Sequence, residues 1–218
     1  MKKIISLALC LLVLQLGFAQ KEVSEANSQK RPVSGFHSIK ASSGIEVLIT
    51  KGGREELAVS VGDLAYLDQV KTEVSNGVLK IYREGEWKFW NTWKNWKVRV
   101  YVSYTHLDEL DANSGASISG TDLQLNTLNA YASSGGSIKI SGKADVLDID
   151  VSSGGLFRGS DFETTKCFAK ASSGGNAQIN VVKELSAKAN SGGSIRYKGE
   201  GLIRDINTNS GGSIKRQL

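Results

Sequence analysis

YASSGGSIKI (131–140) reads in isolation like a flexible linker, but nearly the same string returns along the whole second half of the chain. The first glycines of the successive clusters, Gly115, Gly135, Gly154, Gly174, Gly192 and Gly211, are separated by 20, 19, 20, 18 and 19 residues. A linker has no physical reason to keep such a period, whereas stacked repeat units do. Around each anchor the side chains alternate. Five residues before it stand Leu110, Ala130, Ile149, Ala169, Ala187 and Ile206; three before stand Ala112, Ala132, Val151, Ala171, Ala189 and Thr208; three after come Ile118, Ile138, Phe157, Ala177, Ile195 and Ile214. Between the first two columns lie Asp111, Tyr131, Asp150, Lys170, Lys188 and Asn207. Inside and outside therefore change with the two-residue period of a strand on both sides of the cluster.

One such unit cannot shield its own inward face. Ordering it costs on the order of 1 to 2 kcal/mol per residue, which a few small side chains do not offset, so neighbouring units must stack. The pattern predicts an all-β chain: a right-handed parallel β-helix, or solenoid, of about six coils, rising about 4.8 Å per coil. The clusters are its structural corners. Ser114, Ser134, Ser153, Ser173, Ser191 and Ser210 precede the anchors, each following an Asn or Ser, and in register they offer hydrogen-bonded ladders. The anchor glycines allow positive φ and close approach. A phosphate-binding loop would need the glycines between strand and helix, and no helical pattern follows them.

The N-terminal half is also strand-rich. Residues 36–50, 57–61, 78–83 and 97–104 alternate, and Ser75-Asn76-Gly77 reads as a hairpin turn. A further cluster, Ser42-Ser43-Gly44, precedes Gly115 by 71 residues, so either a hairpin-rich insertion or a distinct small domain fills the gap. Ahead of it, Lys2 and Lys3, the apolar run Ile4–Leu16 and Gly17-Phe18-Ala19 have the layout of a secretory signal. Cys10 lies inside that run, unlike a lipid-attachment cysteine. The expected organisation is a signal peptide at 1–19, a flexible lead at 20–34, an N-terminal all-β portion at 35–106 and repeat coils at 107–218. The mature chain would be exported to the periplasm or cell surface of a Gram-negative-type bacterium, with no transmembrane segment.

The net charge of +5 falls to +3 once Lys2 and Lys3 leave with the signal, too mild to imply a nucleic-acid partner. Cys167 alone survives processing, which excludes a disulfide within one mature chain.

The strings FHSIKASSGIEVLIT (36–50), VSNGVLKIY (74–82) and VRVYVSYTHLDELDANSGAS (98–117), with the SSGG coils after them, resemble the bacterial family described as a putative auto-transporter adhesin, head GIN domain. The resemblance spans roughly residues 36–200. It implies a secreted or surface-facing β-solenoid of the kind found in Bacteroidetes-like bacteria, with adhesion as its associated role and no catalytic residues to carry over.

The most concentrated chemistry is EGEWKFWNTWKNWK (84–97), where Trp87, Trp90, Trp93 and Trp96 interleave with Lys88, Lys94 and Lys97. Exposed indoles stack on sugar rings or sit at a membrane interface, and the lysines would attract anionic glycans or lipid heads; the alternative is that the rings pack together and cap the solenoid. Because β-helices also carry polysaccharide lyases and hydrolases, Asp148 and Asp150 and the group Asp108, Glu109 and Asp111 are the carboxylates to consider; outward strand positions normally hold solvated acids. His37 and His106 lie far apart in sequence without a nearby cysteine, and no aspartate follows the corner glycines, so neither a zinc nor a calcium-coil site is expected, nor any cofactor. These features describe a non-catalytic binding or structural module contacting a glycan or cell-envelope component, with a polysaccharide lyase or hydrolase as the alternative.

Overall fold

The structure, a computed structural model, describes residues 27–85 and 97–217. At Ser133–Gly136 the two central residues are both left-handed, Ser134 at φ 49° and Gly135 at φ 74°. The Gly136 N–H donates to the Ser133 carbonyl at 2.8 Å, which completes a type I′ turn. Seven such Ser-Gly turns stack, beginning at Ser43-Gly44 and ending at Ser210-Gly211. Each central serine after Ser43 presents its carbonyl to the preceding coil: Gly115 N–H donates to Ser134, Gly135 to Ser153 and Gly154 to Ser173, at 3.1–3.2 Å. A ladder of backbone groups thus joins coil to coil at the corner. Ser134 itself is exposed. A short polar side chain is what tolerates a left-handed backbone that costs most residues about 1–2 kcal/mol.

The two glycines of a cluster divide their work. A Cβ on Gly135, Gly154 or Gly174 would meet nothing within 4 Å, so these anchors are required by φ alone. A Cβ on Gly136 or Gly155 would collide with the carbonyl of Ala112 or Ala132 in the preceding coil. That close approach lets the strands on either side stay paired through the bend.

The strands follow from this scaffold. Before the coils run β1 (Ser28–Arg31), β2 (Ser38–Ala41), β3 (Glu46–Lys51), β4 (Glu56–Val61), β5 (Val70–Ser75), β6 (Val78–Arg83) and β7 (Val98–Tyr104). The coils comprise β8 (Glu109–Ala112), β9 (Ser117–Ala132), β10 (Ser137–Val151), β11 (Leu156–Ala171), β12 (Asn176–Ala189), β13 (Ser194–Lys198), β14 (Leu202–Thr208) and β15 (Ser213–Arg216). Strands β9 to β12 pair parallel over most of their length. The columns read from sequence are literal register partners: Ile118, Ile138, Phe157, Ala177, Ile195 and Ile214 lie in one line, and Ala112, Ala132, Val151, Ala171, Ala189 and Thr208 in another. Where Phe157 enlarges the inward column, Gly159 makes room, since a Cβ there would strike the phenyl ring.

The first cluster belongs to the same stack. Strands β2 and β3 flank the Ser43-Gly44 turn and pair parallel with β8 and β9, so residues 52–108 are an insertion after the first coil's first strand. The insertion continues both faces of the stack downward. Strand β7 adds parallel to β3 and β6 parallel to β2; β4 and β5 then close these ladders antiparallel. The Asn76-Gly77 turn between β5 and β6, at φ 52° and 77°, repeats the corner's chemistry. One buried cluster runs from Val59 and Leu79 through Val100 to Ile195, so the core does not break near residue 106.

Residues 28–31, within the stretch read as a flexible lead, form β1, which pairs antiparallel with β4. Arg31 fastens it by donating to the carbonyls of Val70 (2.5 Å) and Leu67 (2.9 Å). Partial burial lowers its guanidinium pKa, opposed by Asp68.

Two stability outcomes follow from this geometry. Ala132 and Ala171 are fully enclosed, so Ala132→Leu or Ala171→Leu should cost about 1–3 kcal/mol or more in denaturant unfolding; unchanged midpoints would place those positions in water. Gly154→Ala should cost only the backbone term, about 1–2 kcal/mol, whereas Gly155→Ala, directed at a backbone carbonyl, should cost more than about 3 kcal/mol.

Candidate binding face

Parallel stacking puts the outward side chains just ahead of each corner turn into two columns. One reads Glu109, Asn129, Asp148, Phe168, Ser186, Asp205; the other, two residues on, reads Asp111, Tyr131, Asp150, Lys170, Lys188, Asn207. Two aromatic rings stand on this face with large exposure, Tyr131 at 40% and Phe168 at 50%. Beside Phe168 is a shallow hollow of about 360 Å³ whose polar walls are Asp148, Lys170, Ser186, Lys188 and Asp205.

Asp148 and Asp150 share this face, as their spacing requires, and the face also gathers Glu109 and Asp111 one coil beyond Tyr131. Partial burial pushes the Tyr131 hydroxyl upward, reinforced by Glu109, Asp148, Asp150 and Asp111. Asp148 is likewise raised, by burial first and then by Asp150, with Lys170 opposing. Two of the acids have cationic partners: Lys170 reaches Asp150 at 3.1 Å and Lys40 reaches Asp111 at 2.6 Å. Among the described residues, Lys188 and Asp205 have no ion-pair partner within 4 Å. The chemistry available is a row of acceptors and donors around aromatic rings.

A second hollow, of about 340 Å³, lies where His106, Asp108, Gln124, Asn126 and Thr127 meet. The two histidines, distant in sequence, converge there on one carboxylate: His37 Nδ1 lies 2.7 Å from Asp108 Oδ1 and His106 Nε2 lies 3.6 Å from Oδ2. The offset that brings His37 to Asp108 is the same 71 residues that separates Gly44 from Gly115, a signal already present in the sequence. Tyr104 also borders this hollow; its hydroxyl is buried without a partner, and desolvation pushes its pKa up to about 12. Cys167 is buried in the core, which pushes its thiol far above the ordinary range and makes it a packing residue.

Trp87, Lys88, Trp90, Trp93, Lys94 and Trp96 lie outside the described residues. Lys97, at the segment's end, is exposed, and its carbonyl accepts from the Gly62 N–H at 2.8 Å. The corner glycines and serines sit on the stack's turns, apart from both outward columns.

A parallel stack of about 20-residue coils closed at its N-terminal side by antiparallel strands defines a β-solenoid head. The chain belongs to the family described as "putative auto-transporter adhesin, head GIN domain", which matches residues 35–201. Among solved structures, it resembles a putative adhesin from Bacteroides fragilis at 17% identity and TM-score 0.70, covering 87% of this chain and 96% of that one. It also resembles a putative lipid binding protein from Parabacteroides distasonis at 20% identity and TM-score 0.50, covering 89% and 98%. No curated protein matches the chain. At these identities the two structures establish the shared fold.

The raised Asp148 carboxyl has a stability consequence. A folded-state pKa above the unfolded value means that stability present at low pH is lost as pH rises through the folded value. Asp148→Asn should therefore raise the melting temperature at pH 7, and the difference should vanish below the ordinary carboxylate value of 3.8. A gain that persists at low pH would assign the effect to packing instead.

Proposed function

We propose that this protein is an exported, non-catalytic, adhesin-like module that contacts glycans of a cell envelope or its surroundings. The observation that carries the reading is the outward face: rigid coils hold side chains in fixed columns, and two large aromatic rings on it stay exposed. Holding such rings in water forgoes the gain of burying them, about 2 kcal/mol each, whereas an aromatic face can stack on the C–H face of a sugar. Membership in a family described by adhesion supports the same direction. Among the described residues no helix is long and apolar enough to cross a membrane. The leader at residues 1–19 supplies the export route. Trp87, Trp90, Trp93 and Trp96, with Lys88, Lys94 and Lys97, supply a second set of stacking and charged groups.

Glycan-array and liposome binding by the mature chain test this function. Trp90→Ala with Trp93→Ala should lower glycan binding at least tenfold while circular dichroism stays unchanged. Undiminished binding would assign those rings to packing, and turnover of polysaccharide by the purified chain, abolished by Asp148→Asn, would replace the module with an enzyme.

A further inference from the structure

The hollow beside Phe168 has the chemistry of a sugar subsite, and we propose that it seats one pyranose ring of a neutral oligosaccharide, with Phe168 as the stacking platform. This deepens the glycan-binding reading and rests on it, but uses residues remote in sequence from the tryptophan segment.

Phe168 is the only aromatic in a column otherwise composed of Glu, Asn, Asp and Ser, and it is half-exposed. Its register neighbours, Asp148 in one coil and Ser186 in the next, stand about 4.8 Å to either side. Lys170, Lys188 and Asp205 complete the wall. A pyranose presents an apolar face of C–H groups and a rim of hydroxyls, each able to donate and accept. Asp148 and Asp205 accept, Lys170 and Lys188 donate, and Ser186 does both.

The charges select among ligands. Two carboxylates and two ammonium groups line the hollow together, so it has no single-sign field. A polyanion would meet Asp148 and Asp205, and a polycation would meet Lys170 and Lys188. A neutral polyol is repelled by neither and can use both. Tyr131 stands two coils from Phe168, about 10 Å along the stack, and offers a second ring to a further unit of the same oligosaccharide.

Titration calorimetry of the full mature chain with cellohexaose, xylohexaose and mannohexaose provides the test, with polygalacturonate and chitosan as charged comparators. At least one neutral hexaose should bind. Phe168→Ala should weaken it at least tenfold, Phe168→Trp should retain it, and Tyr131→Ala should produce a smaller loss. Phe168 is outward and exposed, so circular dichroism of both Phe168 variants should match the parent. Binding that is unaffected by Phe168→Ala but lost in the Trp90/Trp93 double variant would overturn this subsite and leave the tryptophan reading standing. Loss in Phe168→Ala alone would do the reverse. Preference for either charged polymer, or absence of binding to all three hexaoses, would overturn the neutral-sugar assignment.

Discussion

The left-handed Ser-Gly turn governs this structure because it solves two problems with one backbone geometry. The type I′ turn inside each coil holds two successive residues at positive φ, which short polar residues and glycine accept at modest cost. The same conformation turns the serine carbonyl along the stack, where the glycine N–H of the neighbouring coil meets it. Each corner therefore satisfies its own turn and the adjacent coil together. With the corners locked at one register, the columns flanking them are locked too, while register shifts farther along, as at Ile140/Gly142 and Arg158/Glu163, absorb differences in coil length: inward columns of Ala, Val and Ile fill the interior, and outward columns become a fixed surface.

The insertion shows how such a stack can end without exposing a parallel edge. Strands β6 and β7 extend the two ladders in the parallel sense, and β5 and β4 then reverse them; β1 adds a last antiparallel strand. The strands that end the two ladders are short: β1 carries the exposed Lys30, and β5 carries Lys71 and Glu73, the kind of charged margin that discourages pairing with other chains. Away from that end, the broad outward face of the coils carries the exposed rings of Tyr131 and Phe168 among side chains of both charge signs.

Much of this was legible in the residues because a period of about twenty is a distance rule. Ile118 and Ile138 share a column, as their spacing says, and Asp148 and Asp150 share an outward face. The same rule applied backwards places Glu109 beside Asn129 and hence near Tyr131, although as a local string Glu109 looks like part of a separate acidic cluster. What the period could not convey was β1. An edge strand held by backbone pairing and by Arg31 needs no alternation, and its burial pattern shows none. Nor could it distinguish a side-chain ladder from a backbone one at the corner, since both call for the same serines. The insertion was ambiguous because its strands alternate like any others; only their pairing to β2 and β3 shows that they share the core.

The position of that insertion also sets an order of assembly. Within the coils, each new partner is about 20 residues away, whereas the first corner must wait for a partner 71 residues downstream. Loop closure over the longer span costs about 1 kcal/mol more in chain entropy, and contacts of long sequence separation slow folding. A polypeptide delivered N-terminus first thus exposes β2 and β3 well before β8 and β9 exist. In the interval β2 and β3 have only β6 and β7 to pair with, 40 and 53 residues downstream, so the growing chain builds its capped end before the first corner gains a neighbour to stack on.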